Sequence, residues 1–207
     1  MKTESLIFDM DGTLWDSAAN VAASWNETLK NVPDVNIKFT EQDIKGIMGL
    51  TMDVIAAKFF GEKDPKRRME LMDMCGSEEN DYLRIHGGRL YDKLEETLET
   101  LSKSHRLFIV SNCQSGYIEA FLEHYSLEKY FTDHICWGDN ELPKGENIRL
   151  IMDRNSITDG TYVGDTQGDC DSAYFAEAKF IHAAYGFGTA DRSDGVIYNF
   201  YELAEMF

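Results

Sequence analysis

The sequence predicts an α/β protein: a doubly wound parallel sheet carrying an inserted all-helical cap domain. Three observations lead there. Over residues 88–207 short apolar runs alternate with helical periods, the βαβα order of a parallel sheet. One apolar run, Leu6-Ile7-Phe8, stands apart near the N-terminus. Between them, residues 17–87 carry helical periodicity only. Residues 1–16 and 88–207 are therefore expected to form one core, with 17–87 as a cap over the carboxyl edge of its sheet, hinged near Asp16-Ser17 and Gly87-Gly88.

Leu6, Ile7 and Phe8 are apolar at consecutive positions, which suits a strand buried on both faces. The run breaks into Asp9-Met10-Asp11-Gly12-Thr13, and ligands of such sheets sit beyond the carboxyl ends of the strands. If the chain stays extended, Asp9 and Asp11 point the same way. Val21, Ala22, Trp25 and Leu29 mark a helix that Asp16 or Ser17 caps. Thr40 before Glu41-Gln42-Asp43 starts a second, with Ile44, Ile47 and Met48 apolar. Thr51 starts a third through Ile55 and Phe59 to Gly61. Asp64-Pro65 opens a long fourth helix, Met69, Met72, Tyr82 and Leu83 in phase, closing near Gly87-Gly88.

Beyond it, Leu94, Thr97, Leu98 and Leu101 mark a helix, and Leu107–Val110 a buried strand ending at Ser111-Asn112. A helix over Ile118, Phe121, Leu122 and Tyr125 precedes a strand His134–Trp137 and a loop from Gly138 to Glu146 that holds Lys144. A helix over Ile148 and Ile151 leads to the strand Tyr162-Val163, which ends at Gly164-Asp165-Thr166-Gln167-Gly168-Asp169. A helix through Ala173 and Ala176 and the strand Phe180–Ala183 follow.

Composition narrows the function classes. At 43% hydrophobic and 12% aromatic residues the 207-residue chain is globular. A net charge of −17 disfavours nucleic-acid polymers and anionic membranes as partners. No apolar run approaches membrane-spanning length, and Met1–Ser5 leads into no signal-peptide pattern. Cys75, Cys113, Cys136 and Cys170 lie far apart, as reduced thiols of a cytoplasmic protein would.

Each polar stretch at a strand end is also an ordinary turn sequence taken alone. Their order and shared edge are what matter. Asp9-x-Asp11-Gly12-Thr13, Ser111, Lys144 and Gly164-Asp165-x-x-x-Asp169 together resemble the four motifs of the haloacid dehalogenase superfamily, in its helical-cap, phosphoglycolate phosphatase-like branch, along essentially the whole chain. The resemblance implies a Rossmann-like core and a phosphatase in which Asp9 attacks phosphorus and Asp11 protonates the leaving oxygen, then takes a proton from water. It implies Mg²⁺ on Asp9, Asp165 and the backbone carbonyl of Asp11, with Asp169 supporting. Lys144 would neutralise Asp9 and a phosphate oxygen; Thr13, Ser111 and Asn112 would bind the phosphate; Gly12 would let the backbone turn. The Asp9 charge is expected to raise the pKa of Asp11.

The paired acids argue against dehalogenation, which needs no protonated leaving oxygen. A small phosphorylated metabolite is the expected substrate (phosphoglycolate-like, sugar phosphate or nucleotide), for a monomer or homodimer. A β-phosphoglucomutase-like phosphotransferase is the alternative, but such mutases usually have Val where Thr13 stands, His where Val21 stands and Arg near Gly49. A receiver-like signalling domain is the alternative of another class; its phosphorylated Asp lies outside the acid pair and it lacks a cap. Lys45 is a candidate substrate contact, although a solvated lysine at a helix end is the commoner circumstance. Lys63–Arg68 reads as a solvated helix start rather than a phosphate patch. Tyr185-Gly186-Phe187-Gly188 reads equally as a site rim or a plain turn.

Overall fold

The computed structural model describes residues 5–207. Residues 1–4, part of the expected core segment and of the stretch read for a signal peptide, lie outside them. The strands are β1 (Ser5–Phe8), β2 (Trp15–Asp16), β3 (Arg89–Leu90), β4 (Arg106–Ser111), β5 (Phe131–Cys136), β6 (Gly160–Gly164), β7 (Lys179–Ala183) and β8 (Gly195–Ile197). The helices are α1 (Ala18–Leu29), α2 (Glu41–Lys45), α3 (Met52–Phe59), α4 (Pro65–His86), α5 (Leu94–Ser102), α6 (Tyr117–Tyr125), α7 (Trp137–Asn140), α8 (Lys144–Arg154), α9 (Gln167–Phe175) and α10 (Leu203–Met206).

Six strands form one parallel sheet in the order β5-β4-β1-β6-β7-β8. Counted along the chain this is the doubly wound order 3-2-1-4-5-6, whose switch point lies between β1 and β6. The crevice at that switch point is where Asp9 and Asp165 leave their strands.

Every residue of β1 is buried because the sheet is covered on both faces. Leu6 and Phe8 join one apolar cluster with α5, α6 and the helices of residues 17–87, while Ile7 joins the other with Ile148 and Ile151 of α8 and Ala173 of α9. Burying each such side chain contributes roughly 1.5–3 kcal/mol. This double covering explains the unbroken apolar runs.

The helices α1 to α4 lie between β2 and β3, which pair antiparallel, Trp15 with Leu90 and Asp16 with Arg89. That small ribbon, absent from the sequence reading, ties together the two chain crossings into the helical block. α2 opens with the expected Thr40 cap, completed by Asp43. α4 begins after Asp64, whose side chain accepts from the Arg67 amide. At α1 the outcome is split: Asp16 Oδ1 accepts the Ala18 amide at 3.2 Å, whereas the Ser17 hydroxyl turns away from the helix.

Three placements differ from expectation. Trp137 is no strand residue: β5 ends at Cys136, and Asp139 Oδ2 accepts the Cys136 amide to start α7. Lys144 does not sit in a long loop; only residues 141–143 separate α7 from α8, and Lys144 is the first residue of α8, after Pro143, whose carbonyl accepts the Asn147 amide. Tyr82 lies off the buried stripe of α4, stacked near His86; the buried positions are Leu71, Met72, Cys75, Gly76, Glu79, Asn80 and Leu83. The strand β8 was missed because three residues, one of them glycine, carry no period.

Candidate active site

Four stretches of chain converge at the carboxyl ends of β1, β4 and β6. Asp9 follows β1, held by its amide on the Val163 carbonyl at 2.9 Å. The chain then turns rather than staying extended, since the amides of Thr13 and Leu14 both donate to the Met10 carbonyl. The two acids therefore meet different partners. Asp9 Oδ1 accepts from Lys144 Nζ at 2.8 Å. Asp11 Oδ1 accepts from the hydroxyls of Ser17 at 2.7 Å and Tyr117 at 2.8 Å.

Lys144 also donates to Asp169 Oδ1 at 2.6 Å, so one ammonium bridges carboxylates from opposite ends of the sequence. Asp169 is held in place by the helix it begins: its Oδ2 accepts from the Thr166 amide and hydroxyl and the Asp165 amide, a capping box at the start of α9. Asp165 Oδ2 accepts from the amides of Phe187 at 2.6 Å and Gly188 at 3.3 Å. Among the described residues no donor reaches Asp165 Oδ1 or the Thr13 hydroxyl, although both are buried. Buried polar atoms are normally satisfied, so both oxygens are available to something bound. Asp9, Asp165 and Asp169 each bring one carboxylate oxygen within 4.8 Å of the others.

The electrostatics match. Burial, then the charges of Asp169 and Asp165, push the Asp9 carboxyl well above its ordinary value, against the pull of Lys144. Burial and Asp169 push Asp165 up to about 7. Asp169 is held low and Lys144 high, each by the other's charge against the cost of burial. With Asp11, four buried carboxylates face one ammonium, and a hard divalent cation on oxygen ligands fits both the excess charge and the unpartnered Asp165 oxygen. Asp11 rises to about 6 chiefly because it is buried, with Asp16 adding to the rise and the two hydroxyls opposing it. The expected cause, Asp9, is not among the causes: the turn at Met10 sends the two carboxylates to different partners.

Glycines allow this packing. Gly12 adopts φ +83°, and a Cβ there or on Gly186 would collide with the Asp165 carboxylate. Tyr185-Gly186-Phe187-Gly188, ambiguous in sequence, is the segment that holds Asp165, and Tyr185 Oη donates to the Thr13 carbonyl at 2.8 Å. Gly186→Ala should displace Asp165 and weaken by ~10–100-fold the binding of any divalent cation that this acid cluster takes, as loss of a ligand's supporting shell does; titration calorimetry measures it.

Residues 6–183 match the sequence profile of the haloacid dehalogenase-like hydrolases. The chain belongs to this family. A phosphoglycolate phosphatase of Vibrio vulnificus (strain YJ016) is 25% identical over 194 residues, covering 88% of this chain and 84% of that protein. Another, from Aquifex aeolicus, is 28% identical over 194 residues, covering 88% and 85%. A haloacid dehalogenase-like hydrolase from Bacteroides fragilis has the same fold, with a TM-score of 0.83 at 24% identity over 98% of this chain and 100% of that one.

In this hydrolase a cavity of about 40 Å³ runs from Asp9, Asp11 and Ser111 to Trp25, Ile55 and Glu79 of the helical block. Asn112 lines it too, but its amide group donates to the Gly49 carbonyl at 2.8 Å, so one of its two N–H donors is committed to the block. Lys45 does not line the cavity: it pairs with Asp16 at 3.0 Å and Glu41 at 2.6 Å, and lies 5.5 Å from the Phe187 ring centre. Lys63 and Arg67 pair with Asp34, as a local surface cluster.

Tyr117 and Glu79 are the site neighbours that sequence reading missed, while in sequence Ser17 reads only as a helix cap and the 185–188 segment equally as a rim or a turn. Of the two that were missed, Glu79 left a signal, a charge inside the apolar stripe Met72-Cys75-Gly76-Leu83. Its carboxyl accepts from Trp25 Nε1 and from Gln114 Nε2, the latter at 3.1 Å, and burial pushes it up to about 8. A folded pKa above the unfolded 4.5 means that folding holds a proton the unfolded chain releases. The folded state of the hydrolase should therefore lose roughly 5 kcal/mol between pH 4.5 and pH 8 on this account. Urea unfolding of Glu79→Gln at pH 5 and pH 8 should show that part of the slope removed.

Proposed function

We propose that this hydrolase is a Mg²⁺-dependent phosphomonoesterase acting on a small phosphorylated metabolite through a phosphorylated Asp9. The single observation that carries the reading is the bridge of Lys144 between Asp9 and Asp169, beside the unpartnered oxygen of Asp165. A cation bound at the cluster would join Lys144 in offsetting the rise of Asp9, and a carboxylate so ionised needs no base to attack. Asp9 forms the bond to phosphorus as the bond to the alcohol oxygen breaks, and Asp11 gives that oxygen its proton. Water then attacks the phosphorus, Asp11 takes the water's proton, and Asp9 is released with inorganic phosphate. A carboxyl near pKa 6 suits both transfers at neutral pH.

In the same reading Asp9, Asp165 and the Asp11 carbonyl hold Mg²⁺, while Asp169 orients the set through Lys144 and Thr166. Mg²⁺ bound there would draw charge from the phosphate oxygens and offset the acidic excess. Thr13 and Ser111 supply hydroxyls to the phosphate, Asn112 its remaining amide hydrogen, and Gly12 room for the turn. Residues 17–87 act as a cap that excludes water. Phosphoglycolate-like compounds, sugar phosphates and nucleotides are the substrate classes suggested by relatives named phosphoglycolate phosphatase and by the family. The cellular setting that fits is the cytoplasm, as a monomer or homodimer.

Phosphate release from a panel of such esters, with Mg²⁺ and with excess chelator, tests the reading. Release is expected with Mg²⁺ and none with chelator; turnover indifferent to chelation rules the proposal out.

A further inference from the structure

Within the described residues, the cavity that joins the acid pair to the helical block has no Lys, Arg or His in its wall. The nearby ammonium groups are committed elsewhere, Lys144 to Asp9 and Asp169 and Lys45 to Asp16 and Glu41. The same wall that holds the acid pair carries another acid. Glu79 is 4% exposed, carried inward on α4, with its two oxygens turned to the indole N–H of Trp25 and the amide of Gln114. Gln114 in turn donates to Asn80 Oδ1 at 3.0 Å, and Asn80 Nδ2 donates to the Ser115 carbonyl at 2.8 Å, so the carboxyl is held from both the helical block and the loop after β4. The aromatic rings of Trp25 and Tyr117 complete the wall around it.

A carboxyl with two donors still has a lone pair to offer, and an ammonium arriving beside it would draw off the proton that burial keeps on Glu79, whereas an anion brought into this space would find no cation in the wall to receive it. Desolvating an unpaired charge is costly, so the wall discriminates by leaving an anion without a partner as well as by attracting a cation. We infer that Glu79 is a specificity-determining residue, selecting phosphomonoesters whose alcohol portion ends in a hydrogen-bond donor, an ammonium or a hydroxyl, and rejecting those that carry a carboxylate. The inference rests on the phosphomonoesterase reading and deepens it: the hydrolase differs in substrate from what the names of its relatives suggest. Rings beside an acid suit an ammonium best.

Three esters of similar size separate the outcomes: 2-aminoethyl phosphate, 2-hydroxyethyl phosphate and carboxymethyl phosphate (phosphoglycolate), each assayed for kcat/KM with Mg²⁺. The wild-type enzyme should favour the aminoethyl ester over the carboxymethyl ester by tenfold or more, with the hydroxyethyl ester between. This comparison needs no variant. Glu79→Gln should shrink the ratio at least fivefold, mostly through KM of the aminoethyl ester. A carboxymethyl ester hydrolysed as well as or better than the aminoethyl ester overturns the inference and leaves the phosphatase reading standing. A Glu79→Gln enzyme that folds and loses activity on all three esters in proportion overturns it as well, since a merely structural role would do that. Silence of the wild-type enzyme on all three and on a broad ester panel overturns the phosphatase reading and this inference with it.

Discussion

Asp9→Asn should lower kcat for phosphate release by ~10⁴-fold or more, the scale on which removal of a covalent nucleophile acts, while leaving the protein folded. The amide keeps an oxygen for Lys144 Nζ, which also retains Asp169 at 2.6 Å, so the bridge that organises the site survives. What is lost is the charge that, in the proposed mechanism, attacks phosphorus. Because burial and the neighbouring acids already strain the Asp9 carboxylate, its neutral replacement should unfold no earlier than the wild type on heating. The pair of measurements is decisive: a stable Asp9→Asn protein that keeps more than a hundredth of wild-type turnover would remove Asp9 from the chemistry.

Lys144→Met should damage both stability and activity. The ammonium is 3% exposed and is the group that both Asp9 and Asp169 contact as ions. Removing one partner of a buried ion pair costs about 3–5 kcal/mol because the other charge is left uncompensated. In the variant both acids would have folded pKa values above their unfolded ones. They would then keep protons in the folded state that the unfolded chain gives up, so stability should fall as pH rises above about 4. Urea unfolding at pH 5 and pH 8 should show the deficit grow with pH. A deficit independent of pH would mean that Lys144 acts through packing alone. Phosphate release by Lys144→Met should fall by ~10³-fold or more, as when a preorganised charge beside the reacting group is removed.

The hydrophobic pattern carried the architecture. Consecutive apolar residues at Leu6–Phe8 and Leu107–Val110 suited strands covered on both faces, and the helical periods with caps at Thr40 and Asp64 marked the inserted block. Those signals are local, because a strand or a capped helix declares itself within a few residues. The acids and the serine lie at the ends of recognisable strands, but alone each reads as a turn, and Lys144, expected in a loop, begins α8; it was the order of the four motifs that singled them out.

Partners were another matter. That Asp11 would lie against Ser17 and Tyr117, that its rise to about 6 would come chiefly from burial, and that the 185–188 segment would clamp Asp165 depend on contacts between residues from 6 to more than 100 positions apart. That Glu79 shares a cavity wall with the acid pair depends on how α4 docks on the core. One-dimensional order assigns each residue its neighbours along the chain, and from these the elements and the motifs followed. Burial, charge compensation and the shape of the cavity arise only when distant elements pack, and there the folded structure alone decides.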